Sequence, residues 1–215
     1  MKFFTVLAGA TAAAFFAFGA SAATLTNGNF ETGDLSGWTV TPTPGGETVV
    51  QDVTSFDVTG GGSSLAARFN VGRTSGSSGG ISLSQTFNVM TAGLHMFSVD
   101  VAADNVPNGG DNADGGTFAL IVNGTLLDSF ASGSMVTDEV KRASLSGALD
   151  LALGSYTFEI IITRAFTTDA RNPEQRVDNA AIVDPTGGQI PLPAPALLLL
   201  TGLAPMVMLR RKRKS

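Results

Sequence analysis

The 215-residue chain has no cysteine, one histidine, one tryptophan and one tyrosine. The missing thiol excludes cysteine nucleophiles, Cys-ligated zinc and thiol redox chemistry, and leaves the fold to stand without disulfides. With His95 the single imidazole and no G-x-S-x-G elbow, a Ser-His-Asp triad would rest on one residue. His95 alternates with Phe97, Val99 and Val101, which is the pattern of a packed or half-exposed strand residue rather than a base. Trp38 stands beside Gly37 at a strand start and Tyr156 lies on an apolar stripe, so both read as core. Neither reads as an exposed platform for a pyranose ring.

Positive charge is also scarce. Of 13 Lys and Arg, Lys2 and the five residues Arg210, Arg211, Lys212, Arg213 and Lys214 lie at the ends, whereas all 18 Asp and Glu lie between. The segment from Ala23 to Pro193 therefore carries seven cations and a formal charge of −11. Such a field repels nucleic acid and anionic lipid, and favours divalent cations. Nucleic-acid binding is set aside. Acidic residues are plentiful enough for a glycosidase pair, yet no pair stands out at a cleft. Arg164, Arg171 and Arg176 flank a polar loop and either bind an anionic saccharide or pair with Asp169, Glu174 and Asp178.

No 12-residue amphipathic helix and no 20–50-residue repeat is visible in this middle region, and its periodicity is two. Tyr156, Phe158, Ile160 and Ile162 alternate with Thr157, Glu159, Ile161 and Thr163. Phe118 to Val122 and Thr125 to Phe130 flank Asn123-Gly124, a type I′ hairpin signal. Other strands are expected at Trp38 to Thr41, Thr48 to Val53, Leu65 to Val71, Ile81 to Val89, Ala143 to Leu149 and Arg176 to Val183. Gly60 to Ser64, Gly72 to Gly80 and Asn105 to Gly116 are loops. About ten short strands predict an all-β fold, an antiparallel β-sandwich of jelly-roll type.

The two ends read as addresses. Lys2 and the apolar run Phe3 to Phe18 precede Ala20-Ser21-Ala22, so residues 1–22 form a signal peptide cleaved before Ala23. The sandwich domain takes 23–186 and a Pro-rich linker 187–194. Residues 195–209 form a short transmembrane helix that Pro205 kinks or breaks. Residues 210–215 are a basic tail that stops transfer on the cytoplasmic side. Ile190-Pro191-Leu192-Pro193-Ala194, an apolar helix and the basic cluster together resemble the VPLPA-CTERM group of PEP-CTERM sorting signals, with Ile in place of the usual first Val. The resemblance implies recognition by an exosortase-type membrane protease. It also implies signal peptidase and secretion machinery as partners, and delivery to the surface or extracellular matrix of a Gram-negative bacterium.

The mature chain opens with N-G-N-F-E-T-G-D-L-S-G-W (Asn27 to Trp38) and closes with Val177-Asp178-Asn179. This pairing resembles galactose-binding-like jelly rolls, among them many carbohydrate-binding modules. If first and last strands lie side by side, Glu31 comes near Asp178, and two close carboxylates favour a bound Ca2+. The resemblance implies a structural calcium with Glu31 and Asp178 as ligands, joined by carbonyls around Ser63 to Leu65. The plainer alternative is that Glu31 caps a turn while Asp178 meets Arg176 or a backbone amide. The loop from Asp104 to Asp114 is either a second oxygen-rich cation site or a solvated hairpin loop, and it lacks EF-hand spacing. The expected role is a non-enzymatic, structural or adhesive surface protein. The alternative is a carbohydrate-binding module for an exopolysaccharide.

Overall fold

The computed structural model describes residues 23–46, 48–72, 79–105, 113–164 and 173–184. The expected signal peptide with Ala20 and Ala22, the motif at 190–194, the helix at 195–209 and the basic tail lie outside the described residues. So does most of the 104–114 loop. Among the described residues no helix is long and apolar enough to cross a membrane.

Among the described residues there are twelve strands, the longer of them set by alternation of apolar and polar residues. They are β1 (Thr39–Pro42), β2 (Thr48–Phe56), β3 (Ser64–Val71), β4 (Gly79–Val89), β5 (Gly93–Asp104) and β6 (Ala113–Asp114). The rest are β7 (Thr117–Val122), β8 (Thr125–Ala131), β9 (Ser134–Met135), β10 (Val140–Leu151), β11 (Gly154–Arg164) and β12 (Glu174–Val183). One five-stranded sheet has the order β1-β4-β11-β7-β8, the other β10-β5-β12-β3-β2, and β6 pairs with β9. All pairings are antiparallel. The two-residue strands β6 and β9 escape sequence reading because no period can show in so short a run.

The predicted hairpin forms as expected. Asn123 (φ 48°) and Gly124 (φ 79°) both occupy the left-handed region that a type I′ turn needs. In β11, Phe158, Ile160 and Ile162 are wholly buried, facing Phe69 and Phe97 from the opposite sheet within one core. A chain of rings runs through that core. Phe30 stacks on Trp38 at 5.6 Å, Trp38 meets Phe158 edge-on at 6.0 Å, and Phe97 links Phe158 to Phe87 at 6.3 and 5.8 Å. Each such side chain contributes about 1.5–3 kcal/mol by leaving water. That burial replaces disulfides.

The opening motif is not a strand. Residues 23–37 form a strap docked on both sheets. Thr26 N–H donates to Gln85 Oε1 (2.5 Å) and Gln85 Nε2 returns a bond to Thr26 O (2.9 Å), which fixes the strap to β4. Ala180 N–H donates to Gly28 O (2.9 Å), fixing it to β12. Asn27 stands at φ 52° and organises the turn, donating to Asp34 O and Ser36 O while its own carbonyl accepts from Trp38 Nε1–H. Gly28 approaches β12 so closely that a Cβ would lie 2.2 Å from Ala180 O. The motif glycine is there for contact, not for a turn.

Candidate functional site

The strap delivers Glu31 to the outer face of the sheet that contains β3 and β12. Glu31 Oε1 accepts from Leu65 N–H at 3.0 Å, and Ser64 Oγ–H donates to Asp178 Oδ2 at 2.6 Å. Asp178 Oδ1 accepts from Asn179 N–H at 2.7 Å, where Asn179 (φ 51°) begins a bulge in β12. Asp178 is wholly buried. Burial pushes its carboxyl above the ordinary carboxylate value, the hydrogen bonds from Ser64 and Asn179 oppose that, and the Glu31 and Asp100 charges add to the rise. Asp100 is paired across the ladder with Asp178 and accepts from Asn179 Nδ2 and Ser144 Oγ.

Glu31 and Asp178 therefore lie near one another, held through the adjacent residues Leu65 and Ser64, but not as adjacent first and last strands. β1 lies in the other sheet beside β4, and the strap rather than a strand carries Glu31 across. Asp178 meets a backbone amide, as the plainer alternative had it. Arg176 turns instead to Glu174 and Asp104. Among the described residues no three His, Cys, Asp or Glu side chains group as a metal set. Any cation held here would take the two carboxylates plus neutral oxygens such as Ser64 Oγ. A buried carboxylate whose pKa is raised, beside a second acid and without a cationic partner among its contacts, is an arrangement that suits a hard cation.

The rest of that outer face is charged and internally paired. Arg68 forks onto Asp52 (Nε 2.8 Å, Nη2 2.5 Å) and reaches Glu174 at 3.3 Å. Arg176 bonds Thr54 Oγ1 at 2.7 Å and lies 4.6 Å from the centre of the Phe56 ring. The segment after β2 folds over this face, burying Val58 against Ala66 and Ala102, with Asp57 O accepting from Arg142 Nε. The arginines thus serve ion pairs within the fold. Arg164 is buried and donates to Val71 O, and Arg171 lies outside the described residues.

The opposite outer face has a different chemistry. Since Ile81, Leu83, Phe87 and Val89 point inward, Ser82, Ser84, Thr86 and Asn88 point out. Register places Thr39 and Thr41 on one side of them and Ser155, Thr157, Glu159, Ile161 and Thr163 on the other, continuing to Thr117 on β7, whose other outward positions are Ala119 and Ile121. Glu159 is the single charged residue at outward positions of β1, β4, β11 and β7, and it accepts from Ser82 Oγ–H. At the end of this hydroxyl-bearing face lies a shallow depression of about 300 Å3 lined by Asn88, Val89, Met90, Leu153, Gly154 and Ser155. Met90 and Leu153 are among the most exposed apolar side chains described, at 59% and 66%. Sequence reading missed this face because single Ser and Thr residues look like ordinary solvent positions; only the register of four strands makes them a surface.

His95 is wholly buried, with Nδ1 2.8 Å from Gly93 O and Nε2 2.9 Å from Asp184 Oδ1. It is turned away from solvent, so it serves no surface chemistry. Trp38 (8% exposed) is core, and Tyr156 stacks on Phe87 at 6.0 Å while donating to Ala152 O.

No protein-family profile and no curated protein matches the chain. Solved structures resemble it in backbone arrangement. One is TmCBM61 in complex with β-1,4-galactotriose, at 18% identity and TM-score 0.46, covering 76% of this chain and 99% of that one. Another is the CBM22-1 xylan-binding domain of Xyn10C from Paenibacillus barcinonensis, at 21% identity and TM-score 0.37, covering 72% and 89%. A third is the Stig cyclase Fisc from Fischerella sp. TAU, at 16% identity and TM-score 0.42, covering 75% and 97%. Such likenesses are of backbone arrangement alone, and function has to be argued from the site.

Proposed function

We propose that the chain is an exported, non-catalytic surface or matrix protein whose sandwich binds neutral polysaccharide on the hydroxyl-bearing face of β1, β4, β11 and β7. The observation that carries this reading is the contrast between the two outer faces. One pairs its arginines with acids under a covering loop and gathers Glu31, Asp100 and Asp178 beside them; the other carries Glu159 as its single charge, with a row of Ser, Thr and Asn along β1, β4 and the start of β11. An uncharged polyol finds matching donors and acceptors on Ser, Thr and Asn side chains, at no cost of desolvating a free ion. The depression at Asn88, Met90, Leu153 and Ser155 supports a sugar end, with apolar carbons against Met90 and Leu153 and hydroxyls toward the amide. His95, turned against Asp184 inside the core, supports binding over catalysis.

Export and sorting belong to the same reading. The signal peptide would start secretion, and Ile190 to Ala194 with the helix and basic tail would present the chain to an exosortase-type protease. Glu31 and Asp178 would hold a structural Ca2+ that stiffens the strap against β3 and β12, supplying charge neutralisation and no chemistry. The test is retention of the exported protein on immobilised neutral polysaccharides, compared with an Asn88→Ala/Ser155→Ala double variant. Saturable retention that the double variant loses is expected. Equal, non-saturable retention of both proteins would leave only a structural filler of the matrix.

A further inference from the structure

Residue 23, where export would begin the mature chain, is the first described residue, and it lies inside the core. Ala23 is 2% exposed and its nitrogen lies 2.9 Å from Asp184 Oδ2. The Asp184 side chain, just beyond the end of β12, is 11% exposed, and its other oxygen sits 2.9 Å from His95 Nε2. That second contact has ion-pair distance without a directed hydrogen bond. His95 Nδ1 faces Gly93 O, which requires a proton on Nδ1. Asp184 is thus a nearly dry carboxylate whose two oxygens are aimed at His95 and at one backbone nitrogen. Thr24 is exposed, so a chain beginning one residue later has nothing in its place.

We infer that cleavage before Ala23 turns this backbone nitrogen into a docked cation: the new α-ammonium pairs with the buried Asp184 carboxylate and joins the first mature residue to the end of the last strand. This rests on the export reading above. In the precursor the same atom is an amide with one neutral N–H. After cleavage it carries three donors and a unit charge without Ala23 moving. Cleavage balances simply: water adds across the Ala22–Ala23 peptide bond, leaving a carboxylate on Ala22 and an ammonium on Ala23. In a site with little water that charge interacts far more strongly with Asp184 than it would at a surface. The sandwich then reaches its full stability only once the leader is gone.

The test uses the full chain exported from a bacterial host. Mass spectrometry first identifies its initial residue. One portion is then acetylated at the α-amine in urea at near-neutral pH, where α-amines react before lysines, and refolded. The acetyl group restores on the Ala23 nitrogen the neutral amide that the peptide bond from Ala22 makes in the precursor, so it removes the charge. Acetylation is expected to lower Tm by roughly 5–10 °C in the wild type and to leave Asp184→Asn unchanged. A further measurement compares the native proteins: the Ala23 amine should label about tenfold more slowly in the wild type than in Asp184→Asn, because an ion-paired ammonium gives up its proton less readily. An Ala23 start with no Tm loss, with equal loss in Asp184→Asn, or with equal labelling rates overturns the docked ammonium and leaves export standing. A different first residue overturns cleavage before Ala23 together with the docking, and an unprocessed chain overturns export itself.

Discussion

Gly28→Ala tests how the opening motif works. A Cβ at Gly28 would meet Ala180 O at 2.2 Å and Ala180 C at 3.3 Å, both backbone atoms of β12. Ordinary contact between carbon and oxygen needs about 1 Å more, so strap and strand must separate. The same motion stretches the Ala180 N–Gly28 O bond from 2.9 Å and loosens Phe30, which is wholly buried two residues on. Overpacking of this kind costs about 1–3 kcal/mol, and losing the bond adds about 1 kcal/mol. The expected total is about 2–4 kcal/mol, or a Tm lower by roughly 5–12 °C. Urea unfolding followed by Trp38 fluorescence suits the test, because Trp38 is the chain's one tryptophan and stacks on Phe30. Gly33→Ala is the control: that residue has φ 81° with nothing within 4 Å, so only about 1–2 kcal/mol of backbone strain applies. A Gly28→Ala variant no less stable than Gly33→Ala would refute the account of the strap.

Burial raises the Asp178 carboxyl above its ordinary value of 3.8, so its contribution to stability is full below that pH and is lost as pH rises through the raised value. Calcium at a hundredfold excess over Kd should restore about 2.7 kcal/mol at neutral pH in the wild type but not in Glu31→Gln or Asp178→Asn; calorimetry with and without chelator reads this, and identical traces would remove the cation. Asp52 behaves oppositely: its hydrogen bond from Arg68 holds it below 3.8, so that contribution exists above 3.8 and fades as pH falls through the lowered value. Arg68→Met should flatten this acid limb of the stability curve, and an unchanged limb by circular dichroism would contradict the pairing. Trp38→Phe removes the Nε1–H bond to Asn27 O and part of the Phe30 stack, so a loss of about 2 kcal/mol is expected; an unchanged urea midpoint would mean the ring is not part of the strap's anchorage.

Local rules made much of the chain legible in advance. The period-two runs around Phe97 and Phe158 follow from strand geometry alone, because each side chain's face is set by its neighbours in sequence. Asn123-Gly124 likewise carries its own turn, since only residues tolerant of positive φ close so tight a hairpin. The lack of cysteine and basic charge bounded the chemistry without any coordinates. The approach of Glu31 to Asp178 was expected by a different route, and most other partnerships between distant segments remained hidden. Asp178 meets Ser64 across 114 positions and Ala23 meets Asp184 across 161, and nothing nearby in the chain announces either contact. Arg176 meets Glu174 on its own strand and Asp104 across the β5–β12 ladder, and only the order β10-β5-β12-β3-β2 brings Asp104 there, while Asp178 is taken by Ser64 and Asn179. Strand identity is a short-range property of the backbone. Which strands lie together is a long-range outcome of packing, and the sites are made of that.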